Sequence, residues 1–363
     1  MHNEKVSKYI ENIGWRYETE HSMTRRMSDH DYQSRCIYMI TMCVEGRLPL
    51  LGELREDNGF HIEPSELGRE VKNCWYAIPE HYPEVKVLDF QLMPDHIHGL
   101  LFVKQEIQAH LGQIIKGFKI GCSKAKWKIE KCSALSSLNY NSTYKTIPNK
   151  TILHKTIPHK TPLFEKGYQD SVLKGKDQLE HMIRYIKDNP RRLGIKRNNP
   201  DLFKVVAELE IEGIKFAAIG NRWLLDRPVK MQVRCHNNTS PSNLQLIAKQ
   251  KEYFLKRGQE GGVVVSPCIS AGEKEIARAA LDAKQPLIVI LENGFPPLYK
   301  PPGKYFEACS QGLLLMLAPW PYHMEAHTIT RNQCNALNNM ARTISTEPWT
   351  QELETLLSHP RRR

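Results

Sequence analysis

The chain has 363 residues, with Lys+Arg 51 against Asp+Glu 40, a formal charge of +11 and a pI near 9.1, a balance that favours a polyanionic partner such as nucleic acid or an anionic membrane surface. A mean hydropathy of −0.50, no apolar run near the roughly 18 residues of a spanning helix, and an N-terminus, MHNEKVSKYIEN, without a signal-peptide core argue against the membrane and for a cytoplasmic location. The nine cysteines are scattered, with no CxxC pair, so neither a zinc knuckle nor a disulfide framework is encoded.

In chain order, CIYMITMCV over 36–44 reads as a buried strand, and a helix is expected from Pro64-Ser65-Glu66 to about Pro79. Strands over 85–93 and 97–103 flank Pro94-Asp95, a turn-forming pair, and so form a hairpin with His96 and His98 at the start of its second arm. Leu111, Ile114, Ile115 and Phe118 fall at i, i+3, i+4, i+7, the stripe of an amphipathic helix, with Lys116, Lys119, Lys124 and Lys126 largely off it. Over 131–162 the pattern gives way to a low-complexity stretch with a pentad repeat, TIPNK, TILHK, TIPHK, expected as an extended, solvated insertion. LFEKGYQDSVL reads as a strand, and DQLEHMIRYIKDNP as a helix with Asp177 as N-cap, ended by Asn189-Pro190.

The resulting order, β-α-β-β-α-β-α, suits an α+β ferredoxin-like antiparallel sheet with helices packed on one face. Beyond it VKMQVRC, GVVVSPCIS, PLIVILENG and LLLMLAPW alternate with helical stretches, which implies an α/β Rossmann-like, doubly wound parallel sheet. The expected organisation is an N-terminal extension over 1–35, a first domain over 36–198 with its insertion at 131–162, a linker over 199–228, a second domain over 229–350 and a basic tail over 351–363.

Residues two apart on a strand point to one face, so His96 and His98 converge. Taken alone, the spacing suits hydrogen bonding in the sheet as well as metal ligation. The helix DQLEHMIRYIKDNP puts Leu179, Met182, Ile183 and Ile186 on its apolar stripe and Tyr185 about 100° off that stripe. Asn189 follows Tyr185 by one turn, so a phenol and a carboxamide share a flank. A tyrosine can act as a covalent nucleophile and a divalent metal can polarise a scissile phosphate, with Asn189 Oδ1 completing a His, His, amide set. The bland alternative is an ordinary surface tyrosine.

Pro94-Asp95-His96-Ile97-His98-Gly99, followed after a basic helix by GYQDSVL and RYIKDNPRRLG, resembles the single-tyrosine HUH transposases, and among them the REP-associated tyrosine transposases, over about 36–196 including YMITMCVEGRLPLLGEL. The resemblance implies cleavage of single-stranded DNA beside a hairpin through a 5′-phosphotyrosine, with Tyr185 as nucleophile and His96, His98 and Asn189 as ligands of Mg²⁺ or Mn²⁺. It also implies a homodimer, in which the tyrosine acts in its own site or its partner's. Two imidazoles and an amide suit Mn²⁺ at least as well as Mg²⁺. DNA would be gripped by Lys116, Lys119, Lys124, Lys126, Arg184, Arg191 and Arg192, with unpaired bases stacking on aromatics such as Trp127 or Tyr168.

In the second half, SPCISAGEKEI and ITRNQCNALNN look like the Rossmann-like domain of the DNA-processing protein A (Smf) group over about 229–345. The glycine-rich phosphate turns of that group are not matched here, since 234–238 contains no glycine and the later turn offers only Gly272. Single-stranded nucleic acid or a partner protein is therefore the expected ligand, with the loops at 266–272 and Asn293-Gly294 as the place to look. Two alternatives to a cleaving enzyme stand beside it: a hairpin-binding protein that does not cut, and a nucleotide sensor acting through the second domain.

Overall fold

The computed structural model describes residues 7–10, 14–17, 30–140, 161–235, 241–296, 299–325 and 328–358. The pentad repeat, the final arginines and most of the N-terminal extension lie outside these residues. The chain divides into two compact units, Met1–Gly194 and Ile195–Arg363.

Within the extension, β1 (Ser7–Ile10) and β2 (Gly14–Tyr17) pair antiparallel. The body of the first unit is a sheet of β3 (Cys36–Cys43), β6 (Val85–Leu92), β7 (His96–Val103) and β8 (Gln169–Leu173), in the order β6-β7-β3-β8 with every pairing antiparallel. A separate hairpin, β4 (Gly52–Glu56) with β5 (Phe60–Pro64), stands between β3 and the first helix. That helix, α1 (Glu66–Tyr76), starts as its sequence predicts, Ser65 Oγ accepting from the Gly68 N–H. After the short α2 (Ile78–His81) and the β6-β7 hairpin come α3 (Leu111–Tyr140) and α4 (Lys176–Asn198).

Both faces of the sheet are covered, which corrects the expectation of helices on one face. On one face Trp75 and Val71 of α1 and Leu111, Ile114, Ile115 and Phe118 of α3 bury against Tyr38, Ile40, Met42, Ile97, Leu101 and Val103. On the other, the α4 stripe Leu179, Met182, Ile183 and Ile186 packs on Ile37, Met39, Leu100 and Leu173. The alternation of strand side chains divides these sets, odd-numbered β7 residues facing α1 and α3 and even-numbered ones facing α4.

Three boundaries differ from those expected. Helix α3 continues through 131–140, where a loop was anticipated, so the low-complexity stretch lying outside the described residues is shorter, 141–160. Helix α4 does not stop at Asn189-Pro190. It carries Pro190 in its interior, at the loss of one backbone hydrogen bond, because Ile186, Asn189, Pro190 and Arg192 are all buried and that packing outweighs the local bias. At its start Asp177 lies within the first turn rather than at the N-cap, and Gln178 Oε1 accepts from the Lys174 N–H instead.

In the second unit the stretch 199–228, expected as a linker, supplies α5 (Pro200–Phe203) and the hairpin β9 (Val206–Ile211) with β10 (Ile214–Gly220). Then follow β11 (Lys230–Gln232), α6 (Pro241–Gln259), β12 (Val263–Ser266), α7 (Ala271–Asp282), β13 (Leu287–Ile290), α8 (Gly303–Ser310), β14 (Leu314–Ala318) and α9 (Arg331–Ile344). Part of the expected tail is helical, α10 (Gln351–Ser358). The six-stranded sheet runs β11-β12-β13-β14-β10-β9, parallel from β11 to β14 and antiparallel at β10 and β9, so it is mixed rather than wholly parallel. Strands β11 to β14 follow one another without reversal. Accordingly Phe254 of α6, Ile276 and Ala280 of α7 and Phe306 of α8 fill one face, while Leu337, Ala341 and Ile344 of α9 cover the other. The strand-order reversal that gives a doubly wound sheet its crevice is absent from this parallel run.

At Gly99 the packing leaves no room for a side chain, since an added Cβ would stand 2.1 Å from the ring of Trp75, a fully buried residue. Gly99→Ala is expected to lower stability by about 2 kcal/mol through overpacking, read as a lower urea midpoint of the transition followed by tryptophan fluorescence.

Candidate active site

Strand β7 is antiparallel to β3 in a register that sets Thr41 opposite His98 and Cys43 opposite His96. His96 and His98 therefore share the face that α4 covers, their ring centroids 4.9 Å apart and their planes at 88°. His98 is buried and His96 is partly exposed. Each ring is held by its Nδ1. Thr41 Oγ1 lies 2.8 Å from His98 Nδ1, and Asp95 Oδ1 lies 2.6 Å from His96 Nδ1. Anchoring through Nδ1 is how neighbouring groups commonly orient metal-binding imidazoles, which then coordinate through Nε2.

Asp95 is itself tied down. Arg47, in the left-handed region at φ 58°, brings its guanidinium to 3.4 Å from Asp95 Oδ2. Burial raises the Asp95 carboxyl, but the hydrogen bond and charge of His96 and the Arg47 cation outweigh it and hold its pKa below the ordinary value. Composition and spacing singled out neither Thr41 nor Arg47. Asp95 was visible only as a turn residue, although its place directly before the His-x-His pair is itself a signal for a carboxylate partner.

Helix α4 brings Tyr185 to the histidines of its own chain, with 6.2 Å between the ring centroids of Tyr185 and His98. The tyrosine packs at the edge of the cluster formed by Met39, Leu100, Leu173 and Ile186 and stays partly exposed, as its position off the stripe implies. Asn189 is 2% exposed, and its Nδ2 donates to the Tyr185 carbonyl at 3.2 Å. That bond orients the carboxamide. Arg192 is also buried, its guanidinium carbon 6.0 Å from the Tyr185 ring centroid. Among the described residues no three His, Cys, Asp or Glu side chains converge on one point, so a cation here would rest on the two imidazoles and the amide oxygen.

The remaining basic residues separate into different surroundings. Arg184 is exposed on α4, and Arg191 is paired with Asp188 at 2.6 Å. The four lysines of α3 belong to the layer on the other side of the sheet from the histidines, because α3 packs on the odd-numbered face of β7. Lys116 and Lys124 are exposed there. Lys119 donates to the Glu165 carbonyl at 2.7 Å and the Gly167 carbonyl at 2.5 Å, and so fastens the segment before β8 rather than offering a free cation. Lys126 reaches Thr161 Oγ1 at 3.0 Å, and Trp127 Nε1 donates to the Thr161 carbonyl at 2.9 Å. Tyr168 is buried in the core, which removes it as a stacking platform.

In the second unit the loop after β12 is closed by its own carboxylate. Glu273, buried, accepts from the N–H groups of Ile269 at 2.8 Å and Ser270 at 3.1 Å, and its other oxygen lies 3.4 Å from the Cys235 N–H. Burial raises its pKa against the pull of these backbone donors. They are the donors an anion at this helix N-terminus would use. The later loops are fastened to each other, Asn293 Nδ2 donating to the His323 carbonyl at 2.9 Å and His323 Nε2 lying 3.0 Å from Glu292 Oε1.

No family model matches the chain. A protein of Haemophilus influenzae described as uncharacterized is 30% identical over 88 residues, 24% of this chain and 47% of its own length, so the chain spans about half of that relative. Among solved structures, a REP-associated tyrosine transposase bound to a REP hairpin is similar at 12% identity, over 47% of this chain and 74% of that one, with a TM-score of 0.28. A putative transposase from Deinococcus radiodurans gives 14%, 45%, 97% and 0.25 on the same measures. The DNA processing protein A of Helicobacter pylori, whose single-stranded DNA binding mode was determined, gives 17%, 41%, 67% and 0.27. Among the described residues no helix is long and apolar enough to cross a membrane.

The division among the lysines is testable without any ligand. Lys119→Met is expected to cost about 2 kcal/mol, since it removes a charged donor from two carbonyls, and to lower the thermal midpoint by several degrees. Lys116→Met and Lys124→Met should leave that midpoint within error of the parent.

Proposed function

We propose that the first unit is a tyrosine-dependent DNA strand transferase of the HUH type, acting on single-stranded or hairpin DNA, and that its strand order β6-β7-β3-β8 is the ferredoxin-like arrangement of that class. The observation that carries the reading is the approach of Tyr185 to His98, 6.2 Å between rings, on the one sheet face where both imidazoles are held through Nδ1. A surface tyrosine needs no such neighbours, and a sheet-filling histidine needs no carboxylate backed by an arginine.

In this reading Tyr185 Oη, freed of its proton, attacks the scissile phosphorus, forming a bond to the 5′ side of the strand while the 3′ oxygen leaves with its electron pair and takes up a proton. Rejoining is the reverse displacement, by a 3′ hydroxyl on the phosphotyrosine. Arg192 carries a buried positive charge near the Tyr185 ring, where it would meet the phosphate under attack. His96 and His98 through Nε2, with Asn189 through Oδ1, would hold Mn²⁺ or Mg²⁺. Bound there, the cation supplies charge neutralisation at the non-bridging phosphate oxygens. Thr41 and Asp95 keep the two rings aimed, and Asn189 Nδ2 holds its own amide in place. Exposed Arg184, Lys116 and Lys124 provide sequence-independent phosphate contacts on both layers of the unit.

The second unit is proposed to be a Rossmann-like module that contacts single-stranded nucleic acid or a protein partner. Glu273, by occupying the N–H groups of the first loop, argues against a dinucleotide there.

A hairpin oligonucleotide with a single-stranded flank, incubated with the protein and Mn²⁺, is expected to give a protein–DNA adduct that survives denaturing electrophoresis. Tyr185→Phe should reduce it below detection, while retaining hairpin binding. Tight binding with no adduct under any divalent cation would favour a hairpin-binding protein that does not cut, and an undiminished adduct in Tyr185→Phe would sink the assignment.

A further inference from the structure

We propose that Cys74 and Cys122 form a reversible disulfide, made by peroxide, that clamps α1 to α3 beneath the strand carrying the histidines. The inference does not depend on the proposed strand-transfer activity, since it rests on the opposite layer of the sheet.

Cys74 lies in the last turn of α1 and Cys122 in the middle of α3, the two helices that pack side by side on the odd-numbered face of β7. The helices meet at glycine. A Cβ on Gly121 would stand only 3.5 Å from Cys74 Sγ, so α3 brings its backbone against this sulfur, one residue before Cys122. Cys122 belongs to the buried cluster of this layer and Cys74 packs against the same cluster, so both thiols lie in the seam between the two helices. All nine cysteines are free, so the pair is in its reduced form. One thiol is half-buried and reachable by a small oxidant, and the other is buried behind it. That is the arrangement of an attacking and a resolving cysteine.

Their acidities divide in the same sense. The hydrogen bond from Cys122 lowers the Cys74 thiol to about 7 against the effect of burial, while burial and the neighbouring Cys74 push Cys122 well up. Burial instead raises Cys36, Cys235, Cys268 and Cys309. Near neutral pH a large fraction of Cys74 is thiolate, the form that reacts.

The chemistry balances with hydrogen peroxide as oxidant. Cys74 thiolate attacks one peroxide oxygen, the O–O bond breaks, hydroxide leaves and takes up a proton as water, and Cys74 becomes a sulfenic acid. Cys122 sulfur then displaces that hydroxyl, its own proton leaving with it as a second water, and the S–S bond forms. Two thiols have lost two electrons and one peroxide has gained them. A dithiol reductant reverses the change by exchange.

The test uses the full chain, treated with hydrogen peroxide, alkylated, digested without reduction and read by mass spectrometry. Expected is a Cys74–Cys122 linked peptide with a mass loss of two hydrogens, removed by dithiothreitol, whose rate of formation rises several-fold between about pH 6 and 8 as the Cys74 thiol ionises, then levels off. Cys74→Ser should abolish the link. Cys122→Ala should leave a Cys74 sulfenic acid that dimedone traps. If the buried Cys122 variant fails to fold, Cys74→Ser and the pH profile still decide. Links that spare this pair, a stable oxidised Cys74 with no link in the parent chain, or a rate that is flat with pH would each overturn the proposal.

Discussion

The alternation of side chains along β7 is the constraint on which the first unit depends. This strand is covered on both faces, so each of its residues must suit one of two different neighbours. Ile97, Leu101 and Val103 complete the core beneath α1 and α3, and Gly99 is glycine because the Trp75 ring leaves no room for a Cβ. His96, His98 and Leu100 fall to α4 by the same alternation, two polar residues at one end of the strand and an apolar one beyond them. A slip of one residue would put both imidazoles into the core and Trp75 against a leucine. The packing that stabilises the sheet therefore also fixes where the histidines point.

The neighbouring strand completes this arrangement. Because β3 is antiparallel to β7 in fixed register, Thr41 and Cys43 are carried to the same face as the histidines, and Thr41 meets His98 Nδ1 without any local sequence signal linking residues 41 and 98. The turn before β7 supplies the other partner, Asp95, and the loop after β3 brings Arg47 to it in a left-handed conformation unusual for a residue with a side chain. Orientation of the two rings is thus distributed over four chain segments.

The sequence made the alternating strand, the α4 stripe and the offset of Tyr185 legible, since each is a local periodicity. Relations between segments were not legible. Nothing local tells that α4 takes the face opposite α1 and α3, which follows only from where β8 enters the sheet. The four lysines of α3 looked like one grip in sequence, yet Lys119 is drawn to two carbonyls some 46–48 residues further on, a pairing no periodicity reveals. In the second unit the hairpin β9-β10 was missed although Glu212-Gly213, both at positive φ, mark a two-residue turn. Its charged first strand, VAELEI, hid the signal. Glu273 illustrates the converse case: read as one acidic residue in a helix start, it closes the loop that a phosphate would otherwise enter.

The continuation of α4 beyond Pro190 bears on how firmly Tyr185 is placed. A helix that ended at Asn189 would hold the tyrosine near a frayed end, where the last turn is mobile. Here the helix runs on past the proline, and Gly194, lying against the ring of Phe60 on β5, allows the hairpin to meet it closely enough that a Cβ would stand 2.2 Å from that ring. Upstream, Leu179, Met182 and Ile183 fix the first half of the helix on the sheet. Tyr185 therefore sits between two anchored ends, and the buried Asn189 and Arg192 on the following turns are held with it. Proline in the interior removes one hydrogen bond from the helix, but the burial around it keeps the phenol, the amide and the guanidinium on one continuous element. Their spacing relative to the histidines is then set by side-chain packing rather than by a loop.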